Sequence, residues 1–195
     1  MKNIRVLLLF VGVLMIGLGP SLTERVRAQS NQAAANASAN VVKPIKLDKL
    51  WPLSFGILVP TSAAGAVQMV VSDLAVDAVT QAYINRTPTP LGGVTVLANQ
   101  EGGTAPGPAI FKASGAKDYF FGITLPNNIL VQLSTTDVVA DPLLLDNFIS
   151  NIGLSGQLTG GIGQMYFAVG ATLHLEAHQA AGSYTGDFPV TVFYN

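Results

Sequence analysis

From Gln164 to Glu176 the chain reads QMYFAVGATLHLE, and Met165, Phe167, Val169, Ala171, Leu173 and Leu175 take every second place. Successive side chains of a strand point to opposite faces. The run therefore predicts one extended strand, or one strand bent into two. Gly170 is the expected bend or bulge.

The rest of the chain reads as short strands ended by Gly, Pro or Asn. In VVKPIKLDKL, Ile45 and Leu47 face one side and Lys46 and Asp48 the other. Pro44 has no N–H for a ladder, which places this strand at an edge. LSFGILVP alternates through Phe55, Ile57 and Val59 up to Pro60, and AVQMVVS, VTVLA and AIFKAS are further strands. YFFGITLP puts Tyr119, Phe121, Ile123 and Leu125 on one face, and NNILVQLS is expected to hairpin back from the PNN turn. NRTPTPLGG reads as a turn and EGGTAPGP as a loop. In the last strand Phe188, Val190, Val192 and Tyr194 point inward, while Thr191 and Phe193 point away.

Two stretches stay open. Ser72 to Asn85 has an N-cap and helical spacing at Leu74, Ala78 and Ala82, yet AVTQAYI also reads as a strand. Asp141 to Ser150 starts a short helix with Pro142 in its first turn, or forms a strand. With at most one or two short helices, the pattern argues for an all-β fold, an antiparallel β-sandwich.

Residues 1–28 have the form of an export signal. Lys2 and Arg5 precede an uncharged apolar run, Val6 to Leu18, which is short for a bilayer span; Gly19 and Pro20 break it, and Val26 and Ala28 suit a cut before Gln29. An uncleaved anchor is the alternative. Removing 28 of 195 residues leaves 167, one domain's worth. Residues 29–40 are small and polar, a flexible leader, and 41–195 form the sandwich domain. No later segment is long and apolar enough for a stable membrane span. The protein is thus expected in the periplasm, at the cell surface or outside the cell. After the signal, six basic residues stand against ten acidic ones, a net of −4 with no basic stripe, so nucleic acid is not an expected partner. Cysteine is absent, so stability must come from the packed core and the sheets.

IFKASGAKDYFFGITLP, LDNF and VGATLHLEAHQAAGSYTGDFPVTVFYN resemble the bacterial secreted family known as domain of unknown function 4402. Phe55 and Gly56 match its first strand motif. Phe111, Gly115, Phe121, Ile123, Leu125 and Pro126 match its second, and Val169 to Asn195 its ending. Pro189 departs from the pattern, as does the long apolar stretch at 72–85. The ending also resembles spore coat protein U and fimbrial subunits. The resemblance implies an immunoglobulin-like sandwich used as an extracellular building block.

No catalytic, cofactor-binding or metal-binding residue is assigned. His174 and His178 have metal-ligand spacing only on a helix, and here they fall on a strand and a turn, as surface polar groups. Ser155 in GLSGQ lacks the full nucleophile-elbow pattern. GLSGQLTGGIGQ lacks the Lys-Ser/Thr of a phosphate loop and reads as a hairpin connection. Asp137, Asp141 and Asp146 read as solvated loop acids, with a weak calcium site as the alternative. Asn36 and Asn85 begin sequons expected to stay unmodified. Trp51 reads as a core plug rather than a sugar-stacking platform.

Three functions follow for weighing. The first is a non-catalytic exported structural or cell-surface protein, a fimbria-like subunit that joins itself or other surface proteins by strand addition. Its candidate donor is Ala37 to Leu47, with Ala37, Ala39, Val41, Ile45 and Leu47 on one face and Lys43 interrupting it; the alternative is that Val41 to Leu47 is simply the first strand of its own sandwich. The second is a monomeric extracellular binding module for a glycan or protein partner, using loops such as Leu91 to Pro108. The third, an enzyme, lacks a visible convergent set of catalytic groups.

Overall fold

A computed structural model describes residues 31–74, 84, 86–97, 105–133, 141–159 and 161–195. The proposed signal, Asp137, Asn85 and nearly all of the ambiguous stretch after Leu74 lie outside them. Contacts divide the chain into two units, Met1–Ala39 and Asn40–Asn195. In the first, residues 31–39 are exposed and carry no regular structure.

The second unit is an all-β sandwich of antiparallel sheets, with no helix among the described residues. Its strands are β1 (Lys46–Trp51), β2 (Ile57–Gln68), β3 (Thr89–Leu97), β4 (Ala109–Ser114), β5 (Phe120–Thr124), β6 (Ile129–Leu133), β7 (Leu143–Ser150), β8 (Ser155–Gln157), β9 (Gln164–Leu175), β10 (Tyr184–Thr185) and β11 (Thr191–Tyr194). The large sheet runs β1-β4-β9-β7-β6-β10, with β2 also on β9 and β3 on β2; the small sheet runs β11-β5-β8.

The long alternating run becomes β9, the centre of the large sheet. On one side its first half pairs with β4 and its second half with β2, while β7 lines the other side. Its odd-numbered side chains face the sandwich interior. There Phe167 stacks on Phe111 from β4, with ring centroids 5.5 Å apart, and meets Phe121 from the small sheet. Burying rings of this size is the main driving force, worth roughly 1.5–3 kcal/mol each. The even-numbered face is covered too: Ala168 packs with Ile110, Met69 and Val71 in a separate buried cluster.

Gly170 sits where β4 hands over to β2, and the expected bulge does not fall on it. The Met69 N–H donates to the Ala171 carbonyl (2.9 Å), and a Cβ at Gly170 would collide with the Met69 carbonyl oxygen. The glycine admits a crossing backbone. The bulge lies on the neighbouring strand, between Asp146 and Ile149 of β7, where Asn147 takes φ 47°.

Several local expectations are corrected. LSFGILVP and AVQMVVS are not separate strands: β2 runs through both, interrupted by a bulge between Pro60 and Gly65. Phe55 and Gly56 lie in the link before it. Thr89 to Gly93, read as turn, is the start of β3, with Val67 opposite Pro90 and Gly65 opposite Gly92. A proline is tolerated there because, among the described residues, β3 pairs on one side only. β6 does not hairpin with β5; it leaves the small sheet and pairs with β7. Leu143–Ser150 is the strand alternative of its open pair. Part of the Gly-rich GLSGQ run forms β8 rather than only a connection. β11 is four residues long, so Phe188, Pro189 and Val190 precede the ladder and Pro189 costs it no hydrogen bond.

The outer face of the small sheet is different. Phe121 and Ile123 of β5 point inward, leaving Phe120, Gly122 and Thr124 outward. Phe193 of β11 and Ser155 of β8 are the cross-strand neighbours of Gly122. The Phe193 ring lies over Gly122, where a Cβ would press on its far edge.

Candidate functional site

Among the described residues the large sheet has an open edge at β1, which pairs with β4 alone. Lys46 is opposite Ser114, Leu47 opposite Ala113 and Asp48 opposite Lys112, with an irregularity between Lys49 and Trp51. The strand starts at Lys46, so Val41 is not in it, contrary to expectation; the physical reason is Pro44, which lacks a ladder donor just upstream. Val41 is 92% exposed. Ile45 and Leu47, by contrast, pack against the inter-sheet cluster that holds Phe121 and Phe167. Val41, Ile45 and Leu47 therefore divide: two serve this chain's own core and one stands in solvent.

The last strand supplies the anchor between these regions. Val192 and Tyr194 pack on the inter-sheet core, as do Phe188 and Val190 upstream. The Tyr194 hydroxyl accepts a hydrogen bond from the Ala116 N–H (2.6 Å) and donates one to the Lys43 carbonyl (2.7 Å). A phenol with one donor and one acceptor role filled is fully used as a bridge. It fixes the chain at Lys43, just before β1. Gly115 makes this approach possible, since a Cβ there would strike the hydroxyl.

Two charges of β1, Lys46 and Asp48, are paired with each other. Asp48 lies 2.6 Å from Lys46 and 3.7 Å from Lys112. The Lys46 hydrogen bond holds its carboxyl below the usual range, against some opposing desolvation. Arg86 grips Asp73 with contacts of 2.8 and 3.0 Å, and that hydrogen bond lowers the Asp73 pKa. Charged side chains and a bulge are devices that discourage uncontrolled pairing at a sheet edge.

The remaining singled-out residues do not converge. His174 is no free surface group: its Nε2 is 2.9 Å from Asp146 Oδ1, in a half-exposed pair across β9 and β7. His178 is on the following turn at φ 56°, its N–H donating to the Thr61 carbonyl. The Asp141 carbonyl accepts from Gln179. Among the described residues, no group of three His, Cys, Asp or Glu could hold a metal ion. Beside Asp146, a shallow depression of about 260 Å³ is lined by Pro126, Asn127, Asn128, Asn147 and Phe148. Ser155 is an exposed member of β8. Trp51, 37% exposed at the end of β1, is not a core plug. The proposed binding loop Leu91 to Pro108 begins as strand β3, and only Ala105 to Pro108 of its remainder is described. Among the described residues no helix is long and apolar enough to cross a membrane. Sequence reasoning missed the Tyr194 bridge, because a contact between residues 43 and 194 has no local signal.

No curated protein and no solved structure matches the chain. Residues 45–194, from just before β1 to the end of β11, match the model of the family described as Domain of unknown function (DUF4402), and the chain belongs to that family.

Proposed function

We propose that this is a non-catalytic exported structural or cell-surface protein, a fimbria-like or surface-assembly subunit. The export reading rests on residues 1–28. The observation that carries the assembly reading is the open β1 edge preceded by an exposed, irregular segment held at Lys43. Residues upstream of that clamp, with Ala37, Ala39 and Val41 alternating, are the part free to add to a neighbour's sheet. Ile45 and Leu47 are committed to the chain's own core and are not the donor. The resemblance of the ending to fimbrial subunits points the same way.

Light scattering on residues 29–195, with and without residues 29–42, tests this. Heat-resistant oligomers that become stable monomers on truncation are expected. Monomers in both cases overturn the assembly reading. Extending the deletion through Leu47 removes Ile45 and Leu47 from the core and is expected to destabilise the fold itself.

The second reading, a monomeric extracellular binding module for a glycan or protein partner, is favoured by one observation: the small sheet carries exposed apolar side chains on its outer face. Phe120 is 57% exposed, Phe193 48% and the adjoining Leu154 65%.

A further inference from the structure

The geometry points to the outer face of the small sheet as a binding platform for a neutral glycan. This deepens the binding-module reading and rests on it, but is independent of assembly through the leader.

The argument starts from register. Phe193, Gly122 and Ser155 lie side by side across β11, β5 and β8, and Thr124 lies opposite Thr191 one step along the same face. Phe120 is on the other side of Gly122 along β5. Because position 122 has no side chain, the Phe193 ring occupies the space above it. The two exposed rings thus lie together at the Phe120–Gly122 end of the face, with exposed hydroxyls beside them, from Ser155 on β8 and from the Thr124–Thr191 pair one step along.

Each feature narrows the ligand. An aromatic face is the negative part of the ring quadrupole, and the C–H-rich face of a pyranose is weakly positive and apolar. Hydroxyls beside the rings can exchange hydrogen bonds with sugar hydroxyls. None of these side chains is charged, so a charged ligand would lose hydration here without a compensating partner. Size decides against a second copy of the chain. At 57%, 48% and 65% exposure, Phe120, Phe193 and Leu154 together present on the order of 300–400 Å² of side-chain surface. A stable protein partner needs about 800 Å² on each side. A short run of sugar rings fits the smaller footprint.

The test uses residues 29–195 in native electrophoresis through gels containing hydroxyethyl cellulose, dextran or galactomannan, with polygalacturonate as the charged control. Retardation in at least one neutral gel is expected, and it should persist at high salt because no ion pair is involved. Phe193→Ala and Phe120→Ala should each weaken binding about tenfold, the usual effect of losing a binding hot spot. Phe193→Leu should weaken it too, since it keeps apolar area but loses the ring. Leu130→Ala, at an exposed position on β6, should change nothing. Circular dichroism of each variant confirms that the fold survives. Ser155→Arg, which places a charge on the platform while leaving both phenylalanines in the sequence, gives a second route to loss of binding. Absence of retardation in every neutral gel overturns the proposal, as does retardation unchanged by Phe193→Ala. Self-association abolished by the same substitution also overturns it, by making the face a contact between copies. A monomeric result in the leader-deletion experiment leaves this test unaffected, so the two readings fail separately.

Discussion

The two sheets treat their outer faces in opposite ways, and a glycine stands at the middle of each. On the large sheet Gly170 lets the Met69 backbone cross the face, and Met69, Val71, Ile110 and Ala168 are sealed beneath. On the small sheet Gly122 admits the ring of Phe193 and the end of the Asn195 side chain, and that ring stays half in water. A covered face contributes apolar burial to stability; a bare aromatic one contributes little to folding and is available for contact with something else.

Substitutions can break or sharpen this contrast. The largest effect is expected at Phe167, which joins the two sheets: Phe167→Ala should cost about 3–5 kcal/mol in urea unfolding. A much smaller loss would mean that the sheets do not share one cooperative core. Next comes Gly170→Ala. Its new methyl meets backbone, which cannot swing aside, so the overpacking cost is about 1–3 kcal/mol. Gly122→Ala is the paired test. There the added methyl meets the far ends of the Phe193 and Asn195 side chains, which can rotate away. It should cost less than about 1 kcal/mol while changing near-ultraviolet aromatic signals. Equal costs at the two glycines would erase the distinction between the faces.

Tyr194→Phe removes the hydroxyl bridge but keeps the ring. A loss of about 1 kcal/mol is expected, with faster hydrogen exchange at Ala116. The smallest effect concerns acid. Asp73 has a lowered pKa, so its pairing with Arg86 stabilises the fold fully above the unfolded aspartate value of about 3.9. That contribution fades as pH falls through the lower folded value. Stability measured below about pH 4 should therefore fall less steeply in Asp73→Asn than in the parent protein. Parallel curves would show that the exposed pair contributes nothing measurable.

Much of the fold was legible in the chain because strands advertise themselves locally. The alternation at 164–176 gave β9, and that at 119–125 gave β5 and its inward face, since period two maps directly onto burial. The same logic failed where one local signal has two physical outcomes. Pro90 and the Gly92–Gly93 pair looked like a turn, but an unpaired edge tolerates proline and the β2 bulge demands glycine, so they became strand. Val41 looked like strand and is not, because Pro44 delays the ladder. Of the candidate assembly site, the apolar roles of Ile45 and Leu47 were readable, whereas their separation from Val41 was not.

The sequence by itself determined the all-β class, the family, the candidate export signal and the absence of disulfides, because each depends on residue type and spacing alone. Only the tertiary structure decided which strands share a sheet. It sent β6 away from β5, put the bulge on β7 rather than at Gly170, and drew the Tyr194 hydroxyl to Lys43. It also left Phe193 and Phe120 on one bare face. These outcomes depend on contacts between residues far apart in the chain, and no local periodicity carries that information.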